Sequence, residues 1–217
     1  MSKNHYISEL IAQGEHRQLD FKFAVSDSKK IARTLSAFAN TDGGTLLIGV
    51  KDNGHIAGVR SEEEYYMIEA AADMYCHPKV PFEAKEWNID GKLILEVKVE
   101  TSLLKPHQSP DKNDEYKTYI RVNDENIVAP EILEMAWSKI SSLNGTHLTI
   151  SRPVEKLLKY LDVNPYITVS QLRKIARINY PTAKNILSDL LAIGSIGYQL
   201  KDKRIVYGGI QAQKRYL

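Results

Sequence analysis

Residues 27–54 run DSKKIARTLSAFANTDGGTLLIGVKDNG, and how this stretch folds decides the rest. A helix is expected to follow from about Asp27. Ile31, Leu35, Phe38 and Ala39 fall on one stripe, which predicts a helix ending near Asn40. Gly43-Gly44 then supplies a turn that needs positive φ. Residues 45–50 predict a buried strand, and Asp52-Asn53-Gly54 a tight turn into a short returning strand over 55–59.

Working outward, Leu19, Phe21 and Phe23 alternate with Asp20 and Lys22, the pattern of a strand with one apolar face. Ser61-Glu62-Glu63-Glu64 reads as a capping box opening a helix that Pro78 stops. Asp90-Gly91 predicts a hairpin joining 80–89 to 92–100, the second strand half buried. The 106–114 stretch reads as an exposed loop, 116–122 as a strand, and 130–140 as a closing helix with Ile132, Leu133, Ala136, Trp137 and Ile140 inward. The fold class is α+β with a mixed sheet.

The chain has 217 residues, 43% hydrophobic and 26% charged, a globular mixture that excludes disorder and fibrous repeats. No apolar run is long enough for a bilayer span, and residues 1–13 lack the features of a signal peptide, so a soluble, cytoplasmic protein without membrane partners is expected. A single cysteine, Cys76, excludes an internal disulfide and a zinc site built on three or four cysteines. Charge is uneven: residues 1–145 carry net −6 and residues 146–217 net +8. With the polar stretch 141–146, this predicts a domain over 1–145 and a second over 146–217.

The second segment predicts three helices and a hairpin. Val154, Leu157, Leu158 and Leu161 mark the first helix. Thr168-Val169-Ser170-Gln171 is a capping box opening the next, and Pro181 stands near the start of the third. Two short strands follow around Lys201-Asp202-Lys203-Arg204. That order is the outline of a winged helix, a helix-turn-helix variant. On this reading Thr182, Lys184, Asn185 and Ser188 face a major groove of duplex DNA, with Asn185 suited to adenine. Arg173, Lys174, Lys201, Lys203 and Arg204 contact phosphates. The alternative is a dimerisation or docking module with a solvated basic face.

In the acidic segment, Glu15, Asp20, Lys22 and Asp52 are the inventory of a metal-dependent nuclease: carboxylates for Mg²⁺ or Mn²⁺ and a lysine for developing phosphate charge. Asp20 with Lys22 is equally a surface charge pair. No phosphate-loop, nucleophile-elbow or H-E-x-x-H motif occurs, and Cys76-His77 alone makes a poor metal site. Without such motifs, no cofactor is expected beyond Mg²⁺ or Mn²⁺ in the nuclease reading.

Gly14-Glu15, Leu19-Asp20-Phe21-Lys22, the run from Leu35 through Ala37-Phe38-Ala39-Asn40-Thr41-Asp42-Gly43-Gly44, Leu47-Ile48-Gly49-Val50 with Asp52 and Gly54, and Tyr119-Ile120-Arg121-Val122 together resemble the Schlafen-type AlbA-like domain, also called the divergent AAA domain. The resemblance covers about residues 8–140. It implies a C-terminal helix-turn-helix and a role in DNA binding and transcription regulation. Through relatives that cut transfer RNA with three acids, it also implies Glu15, Asp20 and Asp52 as metal ligands and catalytic groups, with Lys22 beside them. Asp20 replaces the family's usual Glu, and Lys51 directly follows Val50. With one lobe per chain, a comparable groove implies a homodimer. The expectation is thus a homodimeric DNA-binding regulator, with a nuclease acting on transfer RNA or single strands as the alternative and a protein-interaction module as a third reading.

Overall fold

The computed structural model describes residues 3–142, 146, 148–202 and 204–209, with the side chains of residues 3 and 4 left aside. Two compact units, Met1–Ala129 and Pro130–Leu217, divide the chain. The division falls before the closing helix and not at Gly145, which lies outside the described residues. That helix, with Ile132 in the C-terminal apolar cluster, packs in the second unit.

The N-terminal unit opens with α1 (Lys3–Gln13), β1 (Leu19–Lys22), α2 (Ser28–Asn40), β2 (Gly44–Ile48) and α3 (Glu63–Met74). The hairpin β3 (Glu83–Ile89) and β4 (Lys92–Val99) follows, then β5 (Gln108–Pro110), β6 (Tyr116–Val122) and β7 (Glu125–Val128). A four-stranded sheet has the order β1-β2-β4-β3, with β1 parallel to β2 and the other pairs antiparallel. A second sheet, β5-β6-β7, is antiparallel. This is the expected α+β mixed-sheet architecture.

Asp27 caps α2, its carboxylate accepting from Lys29 N at 2.9 Å, and the helix ends at Asn40 as the sequence predicts. Phe38, Leu35 and Ile31 pack with α3 on Leu46, Ile48, Leu95 and Val97. On the opposite face, Ile7 of α1 joins Leu19, Phe21, Leu47, Trp87 and Ile94. Covering both faces corrects two expectations. β4 is buried on both sides at its middle, not half buried. Asp20 is inside, not on a solvated face. Strand β1 stops at Lys22, leaving Phe23 exposed.

Three further differences have local causes. No side-chain cap forms at Ser61; instead the buried Glu64 carboxylate accepts from Val25 N and Arg60 N. The expected 106–114 loop contains buried β5, because Ser109 bonds Ser36 of α2 at 2.9 Å and β5 pairs with β6. Ile140 of the closing helix is exposed.

Asn40 ties these layers together. Its amide donates to His107 O and Tyr119 O at 2.7 and 2.8 Å and accepts from His107 N at 2.7 Å. Gly43 (φ +74°) leaves no room for a Cβ, which would fall 2.7 Å from Val99 O; at Gly44 it would enter the Phe38 ring. The A-F-A-N-T-D-G-G run is therefore architecture rather than a ligand loop.

The C-terminal unit contains α4 (Glu131–Ile140), α5 (Arg152–Val163), α6 (Val169–Ala176), α7 (Tyr180–Ala192) and the hairpin β8 (Ile196–Lys201) with β9 (Arg204–Gly209). The Thr168–Gln171 capping box is present, Thr168 Oγ accepting from Gln171 N and Thr168 N donating to Gln171 Oε1. Arg177 in the left-handed region ends α6, and Asn179 caps α7. An isolated bridge joins Ile167 to Tyr207. Leu172, Leu187, Leu190 and Tyr207 form the core. No helix among the described residues is long and apolar enough to cross a membrane.

Candidate nucleic-acid interface

Of the four acidic-unit candidates, three meet. Asp20 is 3% exposed and accepts from Arg121 Nη2 of β6 at 2.9 Å; its other oxygen lies 2.8 Å from Lys22 Nζ, though without hydrogen-bond alignment. Arg121, itself 2% exposed, donates also to Asn126 Oδ1, and Asn126 donates on to Thr34 of α2. Glu15 accepts from Phe21 N at 2.9 Å and stands 4.0 Å from Lys22 Nζ. Burial, and then the neighbouring Asp20 carboxylate, raises the Glu15 pKa against the Phe21 hydrogen bond and the Lys22 charge.

This arrangement is an ion-paired cluster. Asp20 is already neutralised by two cations, the hallmark of an internal ion pair. Asp52 stands exposed in the Lys51–Gly54 turn. Among the described residues no three His, Cys, Asp or Glu side chains are gathered to hold an ion. Of the residues expected as metal ligands and catalytic groups, Glu15, Asp20 and Lys22 thus lie together and Asp52 lies in an exposed turn. The surface-pair alternative fails, since Asp20 is buried. Arg121 is the residue the strand pattern missed. An arginine between Ile120 and Val122 on a strand buried over four consecutive residues needs a buried anion, and that was the available signal.

In the C-terminal unit Lys139 and Lys184 are ion-paired, while other cations, Arg152, Lys156 and Lys159 of α5 among them, are exposed without a carboxylate partner among the described residues. Arg173 and Lys174 on the last turn of α6, Arg177 at its end, and Lys201 and Arg204 at the hairpin are all exposed, and none pairs with a carboxylate among the described residues. The Arg173 guanidinium lies 5.9 Å from the Tyr180 ring centre, and Lys201 Nζ 5.4 Å from that of Tyr166. Lys203 lies outside the described residues. Arg177, which the sequence reading passed over, joins this group because its left-handed turn exposes it.

The α7 candidates fare unevenly. Asn185 is exposed and Thr182 half buried. Lys184, its side chain 15% exposed, is held by Glu131 of α4 and lies over the Tyr180 ring. Ser188 is fully buried, bonded by Lys139 of α4 at 2.6 Å, and Lys139 also pairs with Asp189 at 2.6 Å. Helix α4 thus covers the Lys184–Ser188 side of α7. Of the four residues expected to face a groove, Lys184 and Ser188 are therefore engaged by α4, while Thr182 and Asn185 keep accessible surface.

The sequence matches the Schlafen, AlbA_2 family over residues 15–130, more than half of the chain, and the protein belongs to that family. The family links the chain to nucleic-acid-related function. No curated protein matches the sequence significantly. Among solved structures, the DIP2311 protein of Corynebacterium diphtheriae is similar at 16% identity and TM-score 0.46, over 72% of this chain and 38% of that one. The N-terminal domain of a RecG-related protein of Nitrosomonas europaea is similar at 23% identity and TM-score 0.41, over 60% of this chain and 96% of that one.

Proposed function

We propose that the protein is a DNA-binding transcription regulator whose C-terminal unit, a winged helix carrying α4 as an added helix, contacts duplex DNA. One observation carries the reading: exposed cations of the helix-turn-helix and hairpin, Arg173, Lys174, Arg177, Lys201 and Arg204, have no carboxylate partner among the described residues, as is also true of Arg152, Lys156 and Lys159 on α5, in a segment of net charge +7 over residues 130–217. Unpaired cations around a helix-turn-helix are available for phosphate oxygens, while ion-paired ones are not. Thr182 and Asn185 are the residues left to read base edges, Asn185 by a bidentate contact to adenine.

The N-terminal AlbA-like domain supports this unit, and a homodimer presents two copies to a pseudo-palindromic site with half-sites about 34 Å apart or a multiple of that. Fluorescence anisotropy with labelled duplex DNA tests the reading. Affinity falls by orders of magnitude between about 50 and 200 mM salt, and Lys174→Ala or Arg204→Ala each flatten the log–log slope by about one. Absence of duplex binding at low salt, or a slope unchanged in both variants, overturns it.

A further inference from the structure

A cleft of about 490 Å³ opens on the edge of the four-stranded sheet, in the N-terminal unit and apart from every residue of the proposed DNA-binding surface. Antiparallel register builds it. Lys85 is paired with Glu96 and Glu83 with Lys98, so the period-2 alternation brings Glu83, Lys85 and Trp87 of β3 to the same face as Glu96 and Lys98 of β4. Helix α1 closes one side with Tyr6, whose ring lies 5.2 Å from that of Trp87 at a tilt of 36°.

Glu96 is the unexplained group. Its side chain belongs to a residue only 6% exposed, and it accepts from the Tyr6 hydroxyl at 2.6 Å and the Trp87 indole N–H at 2.7 Å. Both donors are neutral. They satisfy lone pairs without bringing a cation into contact, and no ion pair within 4 Å of Glu96 occurs among the described residues, although Lys98 acts on it from a greater distance. Elsewhere in the same unit, buried Asp20 has Arg121 and Lys22. The cations of this face make their direct contacts elsewhere: Lys98 pairs with Glu100 at 2.7 Å, and Lys85 places its ammonium 4.0 Å above the Trp87 ring instead of on the carboxylate. Burial, then the hydrogen bond to Glu96, pushes the Tyr6 pKa up to about 12, so the hydroxyl stays a donor at neutral pH.

We infer that this cleft is a binding site for a small organic cation of the substituted-ammonium class, its charge met by Glu96 and its alkyl groups by the faces of Trp87 and Tyr6. Lys85 marks the cation's position: an ammonium at that distance from an indole face is in the attractive range, and desolvation strengthens the attraction. Glu83 at the rim adds a second negative charge. The volume suits a compact ligand, within the range of small-molecule pockets. In this site Lys85 is a placeholder that a ligand displaces.

The two tryptophans of the chain are Trp87 and Trp137, so the full-length Trp137→Phe protein reports on the cleft alone through Trp87 fluorescence. Choline is the probe, 3,3-dimethylbutan-1-ol its neutral isostere, and sodium chloride the ionic-strength control. Choline changes the emission saturably, and the isostere binds about tenfold more weakly or worse. Lys85→Ala, a surface change, tightens choline binding several-fold. Glu96→Gln weakens it about tenfold, and Tyr6→Phe, which tests the same carboxylate from an exposed position should Glu96→Gln fold poorly, weakens it less. Equal binding of choline and the isostere overturns the inference. So does unchanged affinity in both the Glu96 and Tyr6 variants, or the absence of a saturable signal in both wild-type and Lys85→Ala backgrounds. None of these outcomes depends on DNA binding.

Discussion

The N-terminal unit holds its decisive charges inside: Asp20 with Arg121, and Glu64 on two backbone amides. Among the described residues the C-terminal unit leaves Arg173, Lys174, Arg177, Lys201 and Arg204, with Arg152, Lys156 and Lys159 of α5, outside and without carboxylate partners, and pairs the cations that face α4 or α7. Net charge per segment, −6 against +8 in the sequence, hides this difference. The acids that resemble a catalytic set are partly structural, while the cations of the basic segment divide into a packing group and a free group. Whether a charge is free, and not its sign, separates structure from recognition here.

The largest test of that contrast is Arg121→Met, which strands the Asp20 carboxylate without its buried partner. A loss of about 3–5 kcal/mol is expected by urea denaturation, with Asp20→Asn in the same chain restoring part of it. A loss below 1 kcal/mol means that the pair is not internal. Asn40→Ala comes next: it leaves His107 N, His107 O and Tyr119 O unpaired in the interior, at roughly 3 kcal/mol. In the other unit, Lys139→Ala removes the bonds to Ser188 and Asp189 and costs about 1 kcal/mol, the effect of a half-exposed contact. It frees Ser188 and Asp189 and touches none of the exposed cations, so duplex affinity should not fall; a fall of about tenfold would place Lys139 in the interface.

A smaller effect separates the units by pH. Burial, assisted by the Lys105 charge and opposed by the Pro78 carbonyl, holds the His107 pKa below its ordinary value of 6.5. The unfolded chain therefore takes up the proton first as pH falls through 6.5. Stability of the N-terminal unit is full above that value and declines below it, until the folded pKa is passed. Urea midpoints at pH 7.5 and 5.5 should show the decline and His107→Gln should reduce it; a midpoint that rises on acidification contradicts the assignment.

Much of the fold could be read from periodicity and local chemistry. The α2–Gly43-Gly44–β2 passage, the Asp90-Gly91 hairpin and the Thr168 capping box form where the side-chain pattern places them. What escaped depends on contacts distant in sequence. Helix α1 has only a weak apolar stripe, yet its Ile7 covers a sheet face and so buries Asp20's strand on both sides. β5 reads as polar yet is buried, because Ser109 bonds Ser36 and the backbone N–H of the preceding His107 bonds Asn40, both far away in the chain. For the candidate interface, the residue types were legible and their availability was not: α4, assigned by sequence to the first domain, is what removes Lys184 and Ser188 from α7's open side.

The most direct measurement compares wild type with the fourfold variant Arg173→Ala, Lys174→Ala, Lys201→Ala and Arg204→Ala, confirmed as folded by its melting transition. The logarithm of duplex affinity is followed against the logarithm of salt concentration. The account predicts a slope shallower by about four in the variant, because four phosphate contacts are lost. A slope equal to wild type would show that these exposed cations do not meet DNA and would contradict the assignment.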